Sequence, residues 1–170
     1  VVPRDTVLVN HCVVVTDSRI VNICPSSEGR KLEAKRQIEL PQQVLLPGLI
    51  NCHGHAAMSL LRGYADDQPL MTWLGEIWPA ETAFVSEDYV RDGTDLALAE
   101  LLLGGTTTFS DMYFYPDVTA ERADFVGLRA QLVFPVIDVQ TAWARDPEEY
   151  LAKGLALRDT YRNHERIEIG

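Results

Sequence analysis

His53-Gly54-His55 is the place where residue type and spacing could do chemistry. Side chains two apart on a strand share a face. A neutral imidazole nitrogen is a common metal ligand. The pair follows Leu45-Leu46, the turn pair Pro47-Gly48 and Leu49-Ile50, which read together as a short buried strand. Two rings at the end of such a strand can converge on one metal ion. Gly54 adds no bulk between them and lets the backbone bend. Cys52 adjoins His53, but on a strand it faces away from both histidines and reads as a buried structural thiol.

The elements that must position this pair change character near residue 45. Before it the chain is β-rich: Thr6 to Val9, Cys12 to Val15 and Arg19 to Cys24 are β-branched runs parted by the turn formers Asn10 and Asp17-Ser18. Pro25 to Gly29 reads as a loop, Gln37 to Leu40 as a further strand, and His11 as a surface residue in a hairpin turn. After the histidines, Ala56 to Pro69 is too polar and irregular for a strand. Leu70 to Trp78 reads as a short helix stopped by Pro79. Ser86 is an N-cap with Glu87 and Asp88 behind it, opening a helix whose stripe is Val90, Gly93, Ala97 and Leu101 and which ends at Gly104-Gly105. Thr106 to Phe109 is a strand running into Ser110-Asp111, Asp117 to Val126 a helix closed by Gly127, and Ala130 to Val139 a strand interrupted by Pro135. Asp146-Pro147-Glu148-Glu149 is a capped helix start with Tyr150, Gly154, Leu157 and Tyr161 as its buried stripe. Arg166 to Ile169 opens a fourth strand.

Strands at 49–53, 106–111, 130–139 and 166–170 separated by helices predict an α/β fold with a parallel sheet. The pattern fits an open doubly wound sheet or an unfinished barrel equally, and both carry function on the loops after the strands. A flavodoxin-like binding module is the reading that lacks its signature, since no glycine-rich phosphate loop follows the first strand.

The 170-residue chain is 46% hydrophobic, as a globular domain is. Its 25 acidic residues against 15 basic ones give a formal net charge of −10, which argues against nucleic acid and against an anionic membrane surface as partners. No apolar stretch approaches the ~20 residues of a transmembrane helix, and the opening VVPRDTVLVNHCVVVTD alternates like a strand rather than a signal peptide. Three cysteines, Cys12, Cys24 and Cys52, without CxxC spacing read as reduced thiols of a cytoplasmic protein.

PGLINCHGHAAMSLLRGYADDQPLMTWL, IWPAE and GGTTTFSDMYFYP resemble the amidohydrolase superfamily. More narrowly they resemble its methylthioadenosine/S-adenosylhomocysteine deaminases and their relatives, the triazine hydrolases and guanine-type deaminases. The likeness runs from about residue 44 to the end. It implies a small β-sandwich segment over 1–44 and, over 45–170, the first four strands of an incomplete metal-dependent (β/α)8 barrel. It implies one zinc ion, with iron as the other metal used, held by His53 and His55. The ion would lower the pKa of a bound water toward ~7 for attack on the amino-bearing carbon of a purine. Glu81 matches the acid that holds the ribose hydroxyls, as a carboxylate accepting two hydrogen bonds can. Trp73 matches a pocket aromatic, and reads equally as a core residue beside Ile77. Arg145 is a candidate for the sulfur-side tail of the substrate, and reads equally as a surface residue before the Asp146 cap. Asp66, Asp67 and Asp111 read as hydrogen-bonding within the loops, without a catalytic role, and His164 reads as structural.

The chain departs from the family in what it lacks. A substrate-contacting histidine shortly after the fourth strand, the third histidine ligand, the general acid/base glutamate three residues after it, a further histidine and the metal-binding aspartate belong to later parts of the family's chain. No catalytic residue is therefore expected before Gly170. The chain alone is expected to hold metal weakly, leave two sheet edges unpaired and not deaminate. The competing readings are an amino- or chlorohydrolase of triazine, guanine or pterin rings, and a non-catalytic fragment. Association with further copies stays open.

Overall fold

Asp17 and Ser18 turn the chain back with φ of 48° and 64°, the positive values that a two-residue hairpin loop demands. They join β1 (His11–Thr16) to β2 (Arg19–Pro25) in an antiparallel hairpin. One helical turn, α1 (Ser26–Gly29), follows where the sequence suggests a loop. The computed structural model describes residues 6–170. The chain divides into two compact units, 1–45 and 46–170, and the hairpin is the sheet of the first. Thr6 to Val9 and Gln37 to Leu40 are not strands. β-branched composition favours an extended chain, but a strand also needs a neighbour to pair with. His11 is the exposed first residue of β1, not part of the turn. Val1 to Asp5, the start of the opening run, lie outside the described residues.

The second unit runs β3 (Leu49–Asn51), a 3₁₀ turn (Ala56–Leu61), α2 (Leu70–Phe84), α3 (Glu87–Leu103), β4 (Thr106–Met112), α4 (Pro116–Val126), β5 (Arg129–Val133), α5 (Pro147–Thr160) and β6 (Ile167–Ile169). The four strands form one parallel sheet in the order β3-β4-β5-β6, with helices as the crossovers that parallel pairing requires. Leu98 of α3 and Ala120 and Ala123 of α4 pack on Phe109, Ala130, Leu132, Ile167 and Ile169 of the sheet. The opposite face, carrying Ile50, Met112 and Val133, is open.

Helix starts follow their caps. The Ser86 hydroxyl accepts the Tyr89 N–H at 3.2 Å, and the Asp146 carboxylate accepts the Glu149 N–H at 2.9 Å with Pro147 in the first turn. Glu149 reaches one residue past the cap, to the Arg145 N–H. Gly127 closes α4 at φ 80°, the left-handed geometry that glycine adopts without strain.

In the second unit three further sequence expectations fail. Pro79 does not stop its helix: α2 continues to Phe84. One main-chain hydrogen bond is lost at Pro79, but Ile77 and Ala80 on either side of it are buried and hold the turn. Strand β5 ends at Val133, before Pro135, and does not resume. The run Leu45 to Ile50 is not a buried strand: only Leu49 to Asn51 pair, and Leu49 and Ile50 are exposed. β3 is an edge strand with a neighbour on one side and no layer over its Ile50 face.

Candidate functional site

The His53 and His55 rings lie beyond the last paired residue of β3, on the same side of the chain. Their centroids are 5.0 Å apart, edge to face. The strand leaves the sheet at Asn51, whose side-chain oxygen accepts the His53 N–H at 3.2 Å. From there the segment is stitched to the end of β4. The Met112 N–H donates to the Gly54 carbonyl at 3.1 Å, and the buried Asp111 carboxylate accepts the Ala56 N–H at 2.5 Å.

The third stitch is made by a ring. His55 Nδ1 lies 2.7 Å from the Met112 carbonyl oxygen. A carbonyl only accepts, so Nδ1 carries the proton and the Nε2 lone pair is left outward. This is the tautomer and restraint expected of a metal-ligating histidine. The donor chemistry therefore fits a zinc-type ion as half of a coordination set. Among the described residues, no three His, Cys, Asp or Glu side chains gather to complete one. Gly54 is not demanded by space, since an added Cβ would meet its nearest atom at 3.4 Å. Cys52 is exposed, not buried.

Glu81 is brought to the same strand end. Because α2 runs through Pro79, Glu81 sits on its last turns, four and eight residues beyond Ile77 and Trp73 and so on their face of the helix. The Tyr113 hydroxyl donates to Glu81 Oε1 at 2.6 Å. Burial raises the Glu81 pKa above the ordinary carboxylate range, while the Tyr113 bond and the nearby His55 pull it back. Burial and the Glu81 carboxylate push the Tyr113 phenol upward, so it stays protonated and able to donate. The Tyr89 hydroxyl is buried with no hydrogen-bond partner among the described residues. Met112 and Tyr113 are consecutive, so one strand end tethers both His55 and Glu81.

Trp73 is half-buried. Arg145 is not joined to this cluster. It lies exposed on the loop after β5, its guanidinium 2.8 Å from Glu149. Asp66 and Asp67 are exposed, and His164, after the turn that follows α5, lies 3.4 Å from Asp124.

The sequence suggested loop hydrogen bonding for Asp111 without naming its partner, and singled out Tyr113 not at all. Phe109, Asp111 and Tyr113 alternate along β4 and its extension and are all buried, so a carboxylate on an apolar face was the available signal. Burial pushes the Asp111 pKa up to about 6, against the opposing pull of the Ala56 N–H and His55. A cavity of about 290 Å³ opens behind the histidine segment, lined by Asn51, His55, Ser59, Glu100, Phe109 and Asp111.

Comparison with known proteins places this arrangement. A 5-methylthioadenosine/S-adenosylhomocysteine deaminase of Teredinibacter turnerae is 52% identical over 99% of this chain and 39% of its own length. One from Saccharophagus degradans is 54% identical over 96% of this chain and 37% of its own. The crystal structure of an adenosine deaminase from Xanthomonas campestris with bound zinc superposes with a TM-score of 0.91 at 43% identity, covering 96% of this chain and 38% of that one. Atrazine chlorohydrolase from Arthrobacter aurescens (TM-score 0.79, 23% identical) and guanine deaminase from C. acetobutylicum (0.74, 20%) share the fold. The chain thus spans about two fifths of the length of the curated relatives it matches. The parallel sheet and its helices are the N-terminal portion of a (β/α)8 barrel. The amidohydrolase family profile matches residues 44–168, and the chain belongs to that family.

Proposed function

We propose that the protein to which this chain contributes is a hydrolytic deaminase of adenosine-type thioether nucleosides, 5'-methylthioadenosine and S-adenosylhomocysteine. The observation that carries the reading is the shared tether. Met112 holds His55 in the tautomer that offers Nε2, and the next residue, Tyr113, holds Glu81 by one oxygen. Metal chemistry and a sugar-binding carboxylate are thereby set side by side.

In this reading His53 and His55 hold a zinc ion, or iron in its place, together with ligands from the rest of the barrel. The ion's contribution is Lewis acidity that makes water nucleophilic near neutral pH. This chain's own residues bind and orient. Glu81 keeps Oε2 to accept from the ribose hydroxyls while Tyr113 fixes Oε1. Trp73, on the same face of α2, supplies an aromatic wall for the purine, and Arg145 addresses the sulfur-side tail. The first unit contributes its hairpin to a small β-sandwich, with the boundary near residue 44. Relatives at 52–54% identity carry the deaminase name, which supports the substrate class. The triazine and guanine enzymes are alike in fold alone.

The test is substrate selectivity in the full-length protein. Glu81→Ala is expected to lower kcat/KM for 5'-methylthioadenosine by roughly 100-fold, as losing hydrogen bonds to a charged group does. Turnover of free adenine should change little. Equal losses on both would remove ribose recognition.

A further inference from the structure

The two thiols of the hairpin stand apart from everything assigned so far. Cys12 and Cys24 are directly opposed in the β1–β2 register, with their sulfurs 3.5 Å apart. Directly opposed residues of an antiparallel pair have Cα atoms about 4.5–5.5 Å apart, within the 4.4–6.8 Å range that a disulfide spans. Closing the pair therefore asks for side-chain rotation and no movement of the strands. The space is shaped to the sulfurs. A Cβ on Gly29 would lie 2.1 Å from the Cys12 sulfur and 3.8 Å from that of Cys24, so the helical turn α1 caps the pair with the one residue that leaves room. The two thiols also differ in access: Cys12 is partly exposed and Cys24 buried.

We infer that Cys12 and Cys24 form a thiol–disulfide exchange site for small-molecule disulfides, with Cys12 as the attacking sulfur and Cys24 as the resolving one. The Cys12 thiolate attacks one sulfur of the incoming disulfide and expels the first thiolate, leaving a mixed disulfide on Cys12. Cys24 then attacks the Cys12 sulfur, forms the Cys12–Cys24 bond and expels the second thiolate. Two electrons pass from the protein to the small disulfide, and the protons lost by the two cysteines end on the two released thiols. The hydrogen bond with Cys12, and then burial, hold the Cys24 thiol above its ordinary pKa, which suits it to wait until the mixed disulfide forms. The product locks the hairpin of the first unit. Cys52, exposed in the second unit, is a built-in control for ordinary surface reactivity.

The hairpin offers a clean readout, because trypsin cuts after Arg4, Arg19 and Arg30 and so separates residues 5–19 from 20–30. Full-length protein is exposed to glutathione disulfide, alkylated, digested and mapped by mass. The expected result is a joined 5–19/20–30 pair, formed at least about tenfold faster in folded than in urea-unfolded protein, as preorganised intramolecular attack predicts. Cys24→Ser should trap glutathione on Cys12, and Gly29→Ala should slow the joining in wild-type cysteine background. Glutathione persisting on Cys12 beside a free Cys24 would overturn the inference. So would both thiols staying alkylatable while Cys52 is labelled, or equal rates in folded and unfolded protein.

Discussion

Tyr113 is the residue that links two candidate site side chains into one arrangement. Its hydroxyl holds Glu81 at 2.6 Å, while the carbonyl of the residue before it holds His55 at 2.7 Å. A hydrogen bond to a charged group contributes about 1.5–3 kcal/mol net. Tyr113→Phe in the full-length protein should therefore lower kcat/KM for the nucleoside by roughly 10- to 100-fold. The change should be carried mainly by KM, with turnover of free adenine kept; steady-state kinetics on the two substrates check this. Glu81 was a candidate from the sequence because its string resembles a known one. Tyr113 was not, because nothing local says that a tyrosine at a strand end meets a glutamate 32 residues earlier.

At the scale of elements, the approach of α3 to the 3₁₀ turn decides how firmly the histidine segment is backed. A Cβ at Gly93 would sit 2.3 Å from the Ala57 carbonyl oxygen, so the two elements touch backbone to backbone only because Gly93 is bare. Gly93→Ala should destabilise by about 1–3 kcal/mol despite its better helix propensity, measured by denaturant unfolding. It should also disturb His55, two residues before Ala57. The start of α5 yields a pH prediction. Arg145, through its side chain and N–H, and Lys153 hold the Glu149 pKa down to about 2. A carboxylate lowered on folding stabilises above its unfolded pKa near 4.5, and that stabilisation is lost as pH falls toward 2. Melting temperature should therefore drop between pH 4.5 and 2 less steeply in Glu149→Gln than in the parent. High salt should shrink the difference, since the pair is exposed. The caps at Ser86 and Asp146 were readable in advance because capping is settled within four residues. The stop expected at Pro79 was wrong because burial of Ile77 and Ala80, a tertiary effect, outweighs one lost hydrogen bond.

On the scale of the whole molecule, the open sheet face and the donor set tell the same story. Ile50, Met112 and Val133 face outward, β3 and β6 each have one strand neighbour, and the described residues offer two imidazoles and no completing ligands. No described helix is long and apolar enough to cross a membrane. The 170-residue chain produced alone should bind zinc weakly, lose it to a mild chelator and release no ammonia from 5'-methylthioadenosine. Metal analysis after dialysis and an ammonia assay check both. Tightly held stoichiometric zinc with turnover would refute the account of an incomplete site. The parallel α/β layout was legible from the alternation of β-branched and amphipathic segments. The choice between open sheet and barrel was not, because both use the same repeating unit.

By itself the sequence determined what depends on near neighbours: the histidine spacing, the helix caps, the hairpin turn at Asp17-Ser18 and the order of strands and helices. Tertiary structure alone decided which groups meet. His55 finds its carbonyl 57 residues away and Glu81 its hydroxyl 32 residues away, and the Cys52 thiol ends up exposed. Such contacts follow from sheet register and helix packing, which are properties of the assembled chain, because a hydrogen bond is made or missed over tenths of an ångström that no local pattern encodes.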